Sequence, residues 1–314
     1  MKPLYIWAGG KSKMIKKYLA DPSIPLDGYD TFVEPFFGGG AMMVWMHKNN
    51  KNIKRFIIND INAEIVGIYR AIKDDVQAFI AHMDLMQNQY LPLSKADRKA
   101  FYLNIREIYT TDWQRWTATE ESATLYFLMK TGFNGIWQTN LSSNGRFATP
   151  SGLLDQTDKV YDRDNVLEWH DFLQKVEIHC GDWRTCVDGI DGKAFYFMDP
   201  PYRDSFTQYG RVFGDDKHIE LIDFCKQADQ QGHTVFYCNR QTPDTFYDDH
   251  RAQLSIKTYD IKYTAGRRST DTNDKGETKR KAKAAVEILL HSPRVMKPFE
   301  KVFGGKDGTQ AQET

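Results

Sequence analysis

Cysteine is scarce in this 314-residue sequence. The four present (Cys180, Cys186, Cys225, Cys238) form no Cys-x-x-Cys pair and have no histidine at zinc spacing. That excludes a disulfide framework and a cysteine-based zinc site, and leaves reduced thiols in or near a core. The eight histidines show no ligand spacing either, so no metal is expected. Proline contributes only 11 residues and no internal repeat is visible, which excludes collagen-like, low-complexity and repeat-built chains. No apolar run approaches the roughly 18 residues needed to span a bilayer. The opening Met1-Lys2-Pro3-Leu4-Tyr5 lacks the apolar centre of a signal peptide, so a cytoplasmic protein with no membrane partner is expected. Net charge is missing as well, since 42 Lys+Arg balance 42 Asp+Glu. A surface basic all over is thereby excluded, but a local basic groove is not.

What is present is a chain with 41% hydrophobic residues, long enough to bury a full core in one large domain or two smaller ones. Short apolar runs alternate with helix-like segments. Strands are expected at Thr31–Phe36 and Arg55–Asn59, with helices at Ala41–His47 and Asn62–Lys73. This βαβ opening predicts a parallel sheet. From Asp74 to Lys130 the periodicity is helical throughout, including Lys95–Tyr109 and Thr119–Lys130, as in an inserted helical unit. A Gly/Asn/Ser-rich loop follows from Thr131 to Gly152. Strand signals return at Val176–Cys180, Ala194–Met198, Thr234–Cys238, Ser255–Ile261 and Ala284–His291, with a helix around Asp215–Gln231. Between Lys262 and Lys283, eight basic residues face three acidic ones. Because this run joins two expected strands it reads as a long hairpin that could project toward a polyanion, the alternative being a solvated loop.

Four segments carry chemistry when read together. Trp7-Ala8-Gly9-Gly10-Lys11 is a glycine turn that brings backbone close to a ligand and delivers one ammonium. In Glu34-Pro35-Phe36-Phe37-Gly38-Gly39-Gly40 a strand ends in a corner whose small residues allow a cofactor to lie against backbone amides. A dinucleotide fingerprint is disfavoured because Met43 occupies the third glycine position. Asn59-Asp60-Ile61-Asn62 ends the next strand, where Asp60 can accept from ribose hydroxyls or serve as a helix cap. The decisive segment is Asp199-Pro200-Pro201-Tyr202, directly after the buried strand Ala194–Met198. Proline has no N–H and a locked φ, so this corner offers rigid acceptors. The Asp199 carboxylate and the Pro200 carbonyl suit the two hydrogens of an exocyclic amine, with Tyr202 as a stacking face for its ring.

These four motifs, in this order, resemble the Dam-type (D12 class, alpha group) DNA adenine-N6 methyltransferases over nearly the whole chain. The resemblance implies a Rossmann-like class I S-adenosylmethionine-dependent methyltransferase fold. That is a seven-stranded, mostly parallel α/β sheet with an inserted, mainly helical target-recognition domain. It divides the chain into a discontinuous catalytic domain (1–73 plus 160–298), the insert with its recognition hairpin (74–159) and a polar tail (299–314). The implied reaction is transfer of methyl from S-adenosyl-L-methionine to N6 of a flipped adenine in double-stranded DNA, by a chain that can act as a monomer.

Residue by residue, the catalytic set is Asp199, Pro200, Pro201 and Tyr202. The cofactor set is Trp7, Ala8, Gly9, Lys11, Glu34, Pro35, Phe36, Gly38, Gly40, Asp60, Asn62, Asp182, Trp183 and Asp199. In the hairpin, Asn134, Gln138, Asn140, Ser142 and Arg146 are the expected DNA contacts, Arg146 at a guanine edge. Arg267, Arg268, Lys279 and Arg280 match the family's phosphate-gripping run. Ser142 stands where GATC-methylating members place a base-reading Arg and Thr139 where they place a Tyr, so the resemblance does not carry GATC specificity to this chain. Trp113 and Trp116 are expected to cap the insert's own small core, the alternative being contact with DNA. The competing readings are an RNA adenine methyltransferase, a cytosine-N4 enzyme, a catalytically silent DNA-binding relative and a nicotinamide oxidoreductase.

Overall fold

The computed structural model describes residues 1–7, 9–20, 28–140, 143–203, 213–263, 269–272, 278–281 and 283–293. Its centre is a seven-stranded sheet. Five strands are parallel in the order β3-β2-β1-β4-β5: β1 (Thr31–Glu34), β2 (Arg55–Asp60), β3 (Val176–Cys180), β4 (Ala194–Met198) and β5 (Thr234–Arg240). β6 (Ser255–Tyr263) forms the far edge. The short antiparallel pair β7 (Ser269–Thr272) and β8 (Thr278–Lys281) interrupts the connection to β9 (Lys283–His291), which runs antiparallel between β5 and β6.

Alternation within the strands sends side chains to two cores. Phe32, Phe56, Phe195, Phe197 and Phe236 point to one face, while Val33, Ile57, Tyr196, Met198 and Tyr237 point to the other. Burial on both faces explains why β4 is apolar at every position.

The larger core is covered by seven helices: α1 (Ser12–Leu19), α2 (Ala41–Asn49), α3 (Ala63–Asp74), α4 (Val76–Tyr90), α5 (Lys95–Thr111), α6 (Ala118–Thr131) and α7 (Arg163–Leu173). α8 (Asp215–Gln230) and α9 (Phe246–His250) cover the other. Side-chain caps start α3 at Asn62, α4 at Asp75 and α5 at Ser94, and a Thr117/Glu120 capping box starts α6. The helices from the expected insert share one continuous core with the sheet, since Phe79, Tyr102 and Tyr126 belong to the same packed cluster as Phe32. Trp116 packs against that cluster, as expected.

The apolar run predicts a first strand as far as Phe36, but β1 ends at Glu34. Pro35 cannot donate to a ladder, and the Phe37 N–H instead turns to the Asn59 carbonyl. α1 and α7 were not anticipated. α1 is an eight-residue, lysine-rich helix that would be marginal alone and is held by burying Met14, Ile15 and Tyr18.

On α8, His218 is wholly buried, with Nδ1 2.8 Å from the Tyr237 hydroxyl and its ring against Phe213. Burial lowers its pKa from 6.5 to about 4. The folded chain thus keeps this ring neutral where the unfolded chain protonates it. The associated stability, complete above pH 6.5, is lost as pH falls from 6.5 toward about 4. Urea unfolding at pH 7.5 and 4.5 should show about 2–3 kcal/mol of loss that His218→Gln removes. An unchanged difference in the variant contradicts this assignment.

Candidate active site

Strand order reverses between β1 and β4, whose neighbours lie on opposite sides, so a crevice opens at their carboxyl ends. Four of the sequence motifs meet there because each lies at, or packs onto, that edge. Glu34 closes β1, Asp60 closes β2, Asp199 follows β4, and the turn before α1 brings in Lys11. They line one cavity of about 1890 Å³, together with Trp7, Phe36, Gly38, Pro200, Pro201 and Tyr202.

Lys11 is 3% exposed and donates to both oxygens of Asp199 (2.6 and 2.8 Å) and to the Tyr202 hydroxyl (2.9 Å). That hydroxyl donates in turn to Glu287 Oε1 on β9 at 2.7 Å. Burial pulls the Lys11 pKa down, but Asp199, then Tyr202 and Glu287, overcome it and hold the ammonium well above the usual lysine range. Burial lifts the Asp199 carboxyl, with the Lys11 charge opposing. Burial also raises Glu34, reinforced by Asp199, although the Met43 N–H donates to Glu34 Oε2 at 3.1 Å. Met43, the residue that breaks the dinucleotide pattern, therefore has a backbone role at the corner.

Asp60 accepts from Gly38 N and Asn62 N, both at 2.9 Å, and so ties the glycine corner to the second strand. It is not the cap of α3. Asn62 is, its Oδ1 accepting from Glu64 N and Ile65 N, and it does not line the cavity, so its expected place in the cofactor set is corrected to a capping one. At Gly38 (φ +49) a Cβ would stand 2.6 Å from Trp7 Nε1, which only glycine avoids.

The donor set suits S-adenosylmethionine. Glu34, Asp60 and Asp199 are among the carboxylates lining a cavity that would receive a sulfonium and an α-ammonium, and Trp7, Phe36 and Trp183 provide apolar faces. The buried Trp183 Nε1 also has no hydrogen-bond partner among the described residues. Asp182 is exposed at the cavity rim, where it accepts from Arg184 N and pairs with the Arg184 side chain. Gly9 and Pro35 line the cavity; Gly40 (φ +61) opens α2. Ala8 lies outside the described residues.

Among the hairpin residues, exposed Asn134 and half-buried Gln138 line the cavity mouth, while Asn140 lies beyond it. Arg146, expected at a guanine edge, is turned inward. Its Nε donates to the Tyr109 carbonyl at 2.9 Å, its guanidinium pairs with Glu121 and, at 3.8 Å, with Glu64, and it covers the Tyr109 and Trp113 rings. With 14% exposure it clamps the loop to α3, α5 and α6, and a guanine edge could be reached only by breaking these contacts. Ser142, Arg267 and Arg268 lie outside the described residues, and of Lys279 and Arg280 only their backbone in β8 is described. The residues missed by sequence reasoning are Glu287, in a strand read as merely apolar, and Tyr5, whose hydroxyl donates to the Gly38 carbonyl at 2.9 Å. Neither carries a local motif.

A mostly parallel seven-stranded sheet with antiparallel β9 and a glycine corner ringed by carboxylates is that of the class I S-adenosylmethionine-dependent methyltransferases. The model of the D12 class N6 adenine-specific DNA methyltransferases matches residues 7–269, and the chain belongs to that family. It is similar to type II methyltransferase M.MjaIII of Methanocaldococcus jannaschii, 29% identical over 256 residues (78% of this chain, 86% of the relative). It is likewise similar to type II methyltransferase M.CviBI of Paramecium bursaria Chlorella virus NC1A, 30% identical over 230 residues (72% and 79%). A DNA adenine methylase of Vibrio cholerae is 27% identical over 258 residues (80% and 85%). The substrate is accordingly DNA, the modified atom adenine N6 and the methyl donor S-adenosyl-L-methionine. Among the described residues no helix is long and apolar enough to cross a membrane.

Removal of the loop clamp tests its structural role. Arg146→Ala should lower unfolding stability by about 2 kcal/mol, because it strips bonds from Glu64, Glu121 and a buried carbonyl. Urea denaturation measures this, and a variant as stable as the parent refutes the clamp.

Proposed function

We propose that this chain is a site-specific methyltransferase acting on duplex DNA, and that Asp199, Pro200 and Tyr202 hold the amino group of an adenine extruded from the helix. The observation that carries the reading is the placement of Asp199. It is a partly buried carboxylate rigidly joined to β4, at the cavity edge shared with Glu34, with Lys11 as its counter-charge.

Adenine N6 lies inside a duplex, so a base must leave the stack to reach such a cavity, at a cost of a few kcal/mol that stacking and hydrogen bonds return. The Tyr202 ring is the stacking surface. The N6 lone pair is delocalised into the purine and is a poor nucleophile. Acceptance of both amino hydrogens, at the Asp199 carboxylate and the Pro200 carbonyl, localises that pair on nitrogen. S-adenosylmethionine, when bound, supplies a methyl group on a sulfonium leaving group. Glu34, Asp60 and Asp182, with Trp7, Gly9, Pro35, Phe36, Gly38 and Trp183, form its pocket, and the negative wall favours a cationic donor. Positioning of amine against methyl is worth roughly 7–11 kcal/mol of the barrier, and Asp199 stabilises the positive charge that develops on N6.

The insert at 74–159 is the target-recognition unit, with Asn134 and Gln138 at the cavity mouth as base-side contacts. The basic run at 262–283 holds phosphates, which positions the duplex without specifying sequence.

Labelled S-adenosylmethionine incubated with duplex DNA, single-stranded DNA and RNA identifies the polymer. Label in RNA alone sinks the duplex reading. Asp199→Ala should abolish turnover in a chain that still unfolds cooperatively, its transition lowered by the unpaired Lys11 charge; wild-type activity in that variant refutes the amino-group site. Catalysis needs the ionised carboxylate, and burial raises the Asp199 pKa. As pH falls, kcat/KM should therefore drop at a higher pH than an ordinary aspartate, near ~3.9, would dictate. An acid limb at or below that value contradicts the assignment.

A further inference from the structure

We propose that Glu287 is a positioning residue for methyl transfer: by accepting the hydrogen bond of the Tyr202 hydroxyl, it fixes the aim of the ring on which the target base stacks. This rests on the reading of Asp199–Tyr202 as the amino-group site.

Glu287 sits on β9 between β5 and β6, opposite Arg240 on one side and Tyr259 on the other, and is 2% exposed. A carboxylate in the middle of a sheet loses its hydration and persists only where protein groups replace it. Its side chain reaches the cavity wall, and the Tyr202 hydroxyl donates to Oε1 at 2.7 Å. The same hydroxyl accepts from Lys11 at 2.9 Å. Because the Lys11 ammonium can only donate, the phenolic proton is left for an acceptor, and Glu287 Oε1 receives it. The far end of the ring is thus pinned from two sides by groups on separate elements, while its near end is fixed by the Asp-Pro-Pro corner.

This constraint matters because a stacking surface sets the plane of whatever lies on it. A tilt of the ring moves a stacked purine's amino group relative to Asp199 and Pro200, and a misplacement of 1 Å can cost 10²-fold in rate. Lys11 links the two ends. It bonds Asp199 and Tyr202 at once, so Glu287, Tyr202, Lys11 and Asp199 form one continuous chain of hydrogen bonds across the cavity floor. No motif marks Glu287 in the sequence; only the pairing of β9 with β5 brings it there.

A double-mutant cycle tests the proposal on the full chain with duplex DNA as substrate. Glu287→Ala and Tyr202→Phe should each lower kcat about tenfold or more while KM for S-adenosylmethionine stays within about twofold, and the double variant should be no worse than either alone. Glu287→Gln, which keeps a carbonyl acceptor, should recover to within about threefold of wild type. If the alanine variant does not fold, Glu287→Leu takes its place in the cycle. Multiplicative losses in the double variant, a glutamine variant as poor as alanine, or a defect confined to cofactor affinity would each overturn the proposal. Asp199→Ala serves as the control: its inactivity upholds the amino-group site whatever the cycle gives, and its activity would remove that site independently.

Discussion

The structure depends on one buried ion pair, Lys11 with Asp199, formed between residues 188 apart in the chain. A carboxylate at the bottom of a cavity is costly without a partner, and breaking such a pair leaves an uncompensated charge. The segment that brings Lys11 there is therefore as much part of the site as the motif after β4. That segment is secured along its length. Trp169 Nε1 donates to the Lys2 carbonyl, the Tyr126 hydroxyl to the Leu4 carbonyl, and Tyr5 bonds the Gly38 carbonyl. Gly135 lies so close that a Cβ would meet the Ile6 carbonyl at 2.2 Å. Residues 2–7 and 9–11 act as a strap over the sheet edge, touching the α4–α6 helices' core, the glycine corner, the loop at Gly135 and the Asp199 carboxylate in turn.

Parallel strands explain why so much acid collects in one place. β1, β2 and β4 all end at the same edge, so Glu34, Asp60 and Asp199 are neighbours by topology. Their mutual repulsion is relieved locally, since Glu34 takes the Met43 amide, Asp60 takes two backbone amides and Asp199 takes the one ammonium. These strand-end carboxylates suit a cationic donor, and among the described lysines and arginines the most deeply buried, Lys11, pairs with Asp199.

The loop at the cavity mouth shows the opposite economy. Trp137 packs on Trp7 and Phe147, and Arg146 binds inward to Glu64, Glu121 and Tyr109. Its polar side chains at the mouth, Asn134 and Gln138, thus stand on a base anchored to both the glycine corner and the helices. An arginine near a polyanion site suggests base recognition when only its neighbours in sequence are known. Here the nearest acids in space are Glu64 and Glu121, distant in sequence, and they claim it first.

Much of the fold was legible along the chain because its signals are local. A five-residue apolar run that stops at two prolines, as at Ala194–Met198, is too short for a helix and fits an interior strand, and Asp-Pro-Pro-Tyr at its tip stiffens the corner through proline's fixed φ and missing donor. The glycine corner and the acidic strand ends were legible for the same reason. Short α1 was not, because its stability comes from burying Met14, Ile15 and Tyr18 rather than from its own propensity. Nor were the roles of Asn62, Arg146 and Glu287, which depend on partners brought from elsewhere in space or on cap geometry. By itself, then, the sequence determined which groups stand at the strand ends, since alternation and proline act over a few residues. The tertiary structure alone decided which charges pair, because ion pairs and buried hydrogen bonds are chosen by distance in space, and strand pairing and helix packing set those distances.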